Sequence, residues 1–170
     1  STDLRRPDTR HEAAAWLREN IPPGKTILLD SPHASPRAVI DKAQLDELSA
    51  QAQTAGSPRA RLYRGMAATH PGGGWRVYRV QRSARELRSS PEHVRSSQAD
   101  APTLDVGEGL SAARAKGVDF VVTSGYGIQR ANAPELAPFF DELQRQPMIA
   151  VFTPVPQLVN GPVLRVFRLK

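Results

Sequence analysis

Asp8-Thr-Arg-His-Glu-Ala-Ala-Ala-Trp-Leu-Arg-Glu-Asn-Ile-Pro-Pro-Gly-Lys-Thr-Ile-Leu-Leu-Asp30 is the stretch on which the fold is decided. Ala13, Ala14, Trp16, Leu17 and Ile21 recur at helical spacing, and Asp8 is placed to cap the first turn by accepting a free backbone N–H. Pro22 and Pro23 stop that helix, because proline lacks the amide hydrogen and its ring collides with the preceding turn. Gly24 turns the chain into Thr26-Ile-Leu-Leu29, a short apolar run of strand type. A helix, a rigid stop and a buried strand therefore follow one another directly. This order predicts an α/β fold.

Reading outward, residues 1–7 form a polar linker containing Arg5, Arg6 and Pro7, and 8–170 form one domain. Ser31-Pro-His-Ala-Ser-Pro36 is a loop at the carboxyl end of the first strand. A helix is expected over about 41–54, with Leu45, Leu48 and Ala52 on one face and Gly56 closing it. Ser57-Pro58 starts another, with Leu62, Tyr63 and Met66 facing inward. His70-Pro-Gly-Gly-Gly74 is a break before the strand Trp75–Val80. Residues 82–104 are the least structured stretch.

Asp105 and Glu108 make a capping-box-like pair opening a helix through Ala115, closed by Gly117. Val118–Thr123 reads as a buried strand, and Pro134 and Glu135 open a helix carrying Leu136, Phe139, Phe140 and Leu143 on its inner face. Met148–Thr153 and Leu164–Leu169 are the last two strands. They are joined by about ten residues, too few for a parallel crossover, so they are expected to be antiparallel at one edge. The expected architecture is a three-layer, Rossmann-like domain. Its sheet has about five mostly parallel strands and an antiparallel C-terminal edge pair.

The 170 residues suffice for a core without covalent staples, and the absence of cysteine excludes disulfides without fixing the compartment. No apolar run approaches the roughly 18 residues of a membrane span, and no signal peptide is visible. Starting at Ser1 rather than methionine, the chain is expected to be a fragment or a processed product. The net charge of +6 suits phosphate-rich partners, but the arginines are dispersed, with Arg59, Arg61 and Arg64 the nearest to a cluster. Ordinary solvated helix faces account for that pattern, and no specific nucleic-acid partner is expected.

Several motifs are incomplete. Gly24-Lys25-Thr26 looks like the end of a phosphate-binding loop. The required earlier glycine is Glu19, however, and the order is helix then strand rather than strand then helix. A dinucleotide fingerprint would follow strand one, where Asp30-Ser-Pro-His-Ala-Ser holds no glycine. His11, His33, His70 and His93 lack the spacing of a zinc site, so neither metal nor cofactor is expected.

What remains is the carboxyl edge of the sheet, where open α/β folds place ligands. One loop brings Asp30, Ser31 and His33 there, and another brings Thr123, Ser124, Tyr126 and Arg130. All of these but Thr123 are the candidate ligand-binding residues, with structural roles at the strand ends as the competing explanation. Ser124 lacks the Gly-x-Ser-x-Gly elbow, its context being Val-Thr-Ser-Gly-Tyr-Gly, and no catalytic residue is assigned.

Five pieces in order carry a resemblance: Asp8 to Leu17, Ile21 to Gly24, Gly117 to Arg130, Phe139-Phe140 and Gly161 to Leu169. Together they resemble the C-terminal soluble domains of multi-pass glycosyltransferases related to the dolichyl-phosphate-mannose protein mannosyltransferases and the aminoarabinose transferases. The stretch 31–104 contributes nothing to that likeness. The resemblance implies a non-catalytic domain on the extracytoplasmic side, periplasmic or at the outer face of the cell membrane. It implies tethering through a preceding transmembrane bundle. That bundle, a polyprenyl-phosphate lipid and the acceptor substrate are the partners it implies, with a role in acceptor access or partner docking. Arg5 and Arg6 would then lie near lipid headgroups.

Two rivals stand beside this reading. One is a small cytosolic α/β enzyme or nucleotide-binding domain with its site at the carboxyl edge of the sheet. The other is a binder of nucleic acid or anionic surfaces through Arg59, Arg61 and Arg64.

Overall fold

The computed structural model describes residues 6–31, 34–81, 101–124 and 133–170. Helix α1 spans Thr9–Asn20, and strand β1 spans Thr26–Leu29. Asp8 is the helix cap: its carboxylate accepts from Arg10 N at 2.8 Å. The helix closes where Ile21 N donates to Leu17 O, immediately before the two prolines. All four β1 residues are buried, as expected for a central strand covered on both faces.

Helices α2 (Lys42–Thr54) and α3 (Arg59–Ala68) lead to β2 (Arg76–Val80), and β3 is the two-residue strand Thr103–Leu104. Helix α4 (Ser111–Ala115) precedes β4 (Phe120–Ser124). A 3-10 turn at Pro134–Leu136 continues into α5 (Ala137–Leu143), and β5 (Met148–Phe152) and β6 (Leu164–Arg168) finish the chain. The sheet order is β3-β2-β1-β4-β6-β5. β3, β2, β1 and β4 run parallel, while β6 is antiparallel to both β4 and β5.

The expected α/β architecture is therefore present: a mostly parallel sheet with an antiparallel pair at one edge and helices on both faces. Two details differ. The sheet has six strands, because Thr103–Leu104 pairs with β2 at the end of the stretch read as least structured. The final strand is also internal, slotted between β4 and β5, which leaves β5 as the edge.

Alternation along the strands divides the core in two. Ile27, Leu29, Val77, Val122 and Val166 face α1, α2 and α3 through Leu17, Ile21, Leu45, Tyr63 and Ala67. Leu28, Val80, Val121 and Phe167 face α4 and α5 through Leu110, Ala113, Phe139, Phe140 and Leu143. Phe139 and Phe140 meet edge to face, with ring centroids 5.2 Å apart.

Two local expectations need correction. Helix α4 starts at Ser111, not at Asp105. The Asp105 carboxylate accepts from Gly107 N, making a local turn, and Glu142 of α5 accepts from Leu110 N instead. The terminus is thus satisfied from another element, which no local motif encodes. Leu62 is 48% exposed rather than inward, because α3 buries Tyr63 and Ala67 and turns Leu62 outward.

The helix-stop-strand block is closed by contacts from far along the chain. Thr9 N donates to Asn160 O, and Thr9 Oγ1 donates to Pro162 O at 2.7 Å. Gly161 has φ +108, and a Cβ there would run into Thr9 Oγ1 and Asp8 Oδ1, so both the backbone angle and the close approach require glycine. At the other end of the block, Gly24 N donates to Gly74 O and Trp75 Nε1 donates to Ile21 O. Gly24-Lys25-Thr26 is thus the packed entrance to β1, not a phosphate cradle.

Candidate functional site

β1 is followed in space by β2 on one side and β4 on the other, so the chain reverses direction across the sheet between β1 and β4. Crevices at such switch points, outside the carboxyl ends of the strands, are where open α/β sheets hold ligands. Asp30 leaves the end of β1 and Ser124 ends β4, so these two residues stand at that point.

They are directly bonded. Asp30 Oδ1 accepts from Ser124 Oγ at 2.9 Å, and Asp30 Oδ2 accepts from Ser124 N at 2.9 Å. Both residues are buried, at 3% and 2% exposure. Asp30 N donates to Val122 O, continuing the β1–β4 ladder one step beyond the strand. Ser31 secures the following loop: its Oγ accepts from Ala34 N at 3.2 Å, and its N donates to Ser35 Oγ at 3.3 Å. His33, Tyr126 and Arg130 lie outside the described residues. Of the six candidates, the structure therefore joins Asp30 to Ser124 and sets Ser31 beside them.

The carboxylate binds the serine hydroxyl without an intervening imidazole. A nucleophilic triad places histidine between these groups, so the observed bond is the geometry of a tie between two strand ends. Next to it, Thr123 Oγ1 is the one buried side-chain polar atom, among the described residues, that meets no hydrogen-bond partner. Such an atom is uncommon and is consistent with a water or ligand at this edge. Nothing in the local sequence separates Thr123 from an ordinary strand threonine.

Sequence reading passed over Gln44. Its Nε2 donates to Val77 O at 2.9 Å, and its Oε1 accepts from Val77 N at 2.7 Å. β3 is too short to pair along the whole of β2, so this buried side chain acts as a substitute neighbouring strand. The available signal was a polar residue beside Leu45 on the inward face of α2.

The remaining candidates lie elsewhere. His70 Nδ1 accepts from Gly72 N at 3.0 Å, which leaves Nε2 to donate to Ile40 O at 2.8 Å. It is a loop fastener. His11 is exposed on α1, and His93 lies outside the described residues. No group of three metal-ligating side chains occurs among the described residues. Arg59 Nη1 donates to Tyr63 Oη at 3.4 Å, and Arg61 and Arg64 are exposed on α3.

Two open clefts lie away from the Asp30–Ser124 pair. One of about 380 Å³ is lined by Gln144, Gln146, Met148, Arg165 and Phe167. Another of about 260 Å³ sits between Arg37 and Ile40, Met66 and His70. Arg76 forms a two-pronged pair with Glu47, at 2.7 and 2.8 Å, which holds the Glu47 carboxyl below its ordinary range and the guanidinium above its own. Arg10 likewise lowers the Asp8 carboxyl by direct hydrogen bonding. Both are structural pairs.

No family model matches this chain, and neither the curated proteins nor the solved structures compared with it yield a match. The class it belongs to rests on the fold: a Rossmann-like α/β domain.

Proposed function

We propose that this chain is a non-catalytic accessory domain of a membrane-bound glycosyltransferase that uses a polyprenyl-phosphate sugar donor. In this reading it stands on the extracytoplasmic side, tethered through a transmembrane bundle that precedes Ser1, and serves acceptor access or partner docking. The observation that carries it is how the residues of the resemblance are engaged. Asp8 caps α1, and Thr9 binds Pro162. Asp119 accepts from Thr26 N at 2.9 Å, Ser124 binds Asp30, and Phe139 meets Phe140 edge to face. The residues so engaged act as structural ties within one domain, which supports a motif set marking an accessory fold.

No described helix is long and apolar enough to cross a membrane, so the reading needs spans encoded outside this chain. Sequencing the genomic DNA upstream of the Ser1 codon tests it. The expected result is an open frame continuing through several apolar segments of about 20 residues. A frame that starts at or near Ser1 defeats the proposal.

The second reading, a small cytosolic α/β enzyme or nucleotide binder, is favoured by one observation: the unpartnered Thr123 hydroxyl beside the switch point. Nucleotide titration followed by backbone amide shifts of Ser31, Thr123 and Ser124 decides it. Saturable shifts at those residues support it, and unchanged spectra remove it.

A further inference from the structure

The turn joining β5 to β6 exposes apolar side chains in a rigid form. Leu158 is 66% exposed and Val155 43% exposed. The turn is closed on itself: Val155 N donates to Val159 O, while Leu158 N and Val159 N both donate to Val155 O. Pro154 and Pro156 fix the backbone on either side of Val155. Gln157 has φ +67 and is the only non-glycine among the described residues with positive φ. That angle is strained for a residue with a side chain, and it immediately precedes the exposed Leu158. From Gln146 to Leu164 the sequence contains no charged residue, so the tip enters an apolar medium without stripping water from an ion.

The tip is also anchored beside the start of the domain. Asn160 N donates to Pro7 O at 2.8 Å, and Thr9 N donates to Asn160 O at 2.9 Å. Arg6, exposed and next to Pro7, therefore lies alongside it. An apolar tip with the exposed Arg6 beside it matches the layering of an anionic bilayer, headgroups outside and acyl chains within.

We infer that Val155 and Leu158 form a lipid-contacting tip that seats the carboxyl edge of the sheet against the membrane surface. The inference rests on the tethered reading above and adds an orientation to it. β5 ends and β6 begins level with Ser124, so the Asp30–Ser124 edge and the tip occupy the same end of the sheet. Both face the lipid.

The chain has no cysteine, so a single introduced thiol reports one position. Leu158→Cys carries a polarity-sensitive fluorophore, and Leu62→Cys, exposed on α3, is the control. Each full chain is held through a histidine tag added before Ser1 to vesicles of phosphatidylcholine and phosphatidylglycerol containing a nickel-chelating lipid. Expected is blue-shifted emission at position 158, quenched by brominated acyl chains, with position 62 unchanged. An unshifted label at 158, or equal shifts at both positions, overturns the inference. A shift at 158 that appears without vesicles and grows with protein concentration also overturns it, in favour of contact between copies. Because the tag supplies the tether, a negative result leaves the upstream-span test of the parent reading intact.

Discussion

Two places at the carboxyl end of the sheet treat polarity in opposite ways. At the end of β4, Ser124 is polar and buried, and its hydroxyl and amide are both tied to Asp30. After β5, Val155 and Leu158 are apolar and exposed, on a turn whose backbone is closed by its own hydrogen bonds. The Asp30–Ser124 bonds satisfy an internal demand, because buried polar groups without partners are costly. In the second the backbone serves the fold through Asn160 and Pro162, and it is the Val155 and Leu158 side chains that point outward. A polar residue at a strand end can thus serve the fold alone, while an exposed apolar residue on a turn is open to a contact from outside.

Substitutions separate the two. The largest effect is expected from Asp30→Ala, which strands the buried amide and hydroxyl of Ser124 and should cost about 3 kcal/mol in urea unfolding. A cost near zero would break the contrast, by showing that the pair holds nothing together. Gln44→Ala should cost about 2 kcal/mol, because Val77 loses both of its side-chain partners, and its amide should lose hydrogen-exchange protection.

Asp8→Ala removes the α1 cap and is expected to cost about 1 kcal/mol at neutral pH. The ionised part of that contribution has a definite sign. Bonding to Arg10 lowers the folded pKa of Asp8 below its ordinary 3.8, so the stabilisation is fully present above 3.8 and disappears as pH falls through the lower folded value. The stability gap between wild type and Asp8→Asn should accordingly shrink in acid. The smallest effect belongs to the tip: Leu158→Gln should shift unfolding by less than about 0.5 kcal/mol. A large loss would mean that the tip serves the fold after all.

Much of the architecture was legible because its signals are local. The α1 cap, the two prolines and the Ile27-Leu28-Leu29 run specify a helix, a stop and a strand through neighbours alone. The short link between the last strands excluded a crossover and so fixed their antiparallel pairing. Three features were not legible, each because its partner is distant. Thr103–Leu104 is a strand only because β2 lies beside it. Helix α4 begins where Glu142 can reach Leu110 N, so the nearby Asp105 and Glu108 misled. Leu62 fits the helical inward pattern, yet α2 packs on the face of α3 that carries Tyr63 and Ala67.

The candidate site shows the same division. Asp30 and Ser124 were legible as strand-end residues expected at one edge, and they meet there; that they would engage each other was not readable.

The sequence by itself determined the helix-stop-strand opening, the α/β class and the antiparallel close, since these follow from backbone propensity, periodicity and chain length. Tertiary structure alone decided that the last strand enters between β4 and β5, that Gln44 completes β2, and that the Val155–Leu158 turn lies beside Pro7. Those outcomes depend on which groups are brought together across the chain, and a buried donor accepts whatever partner packing delivers.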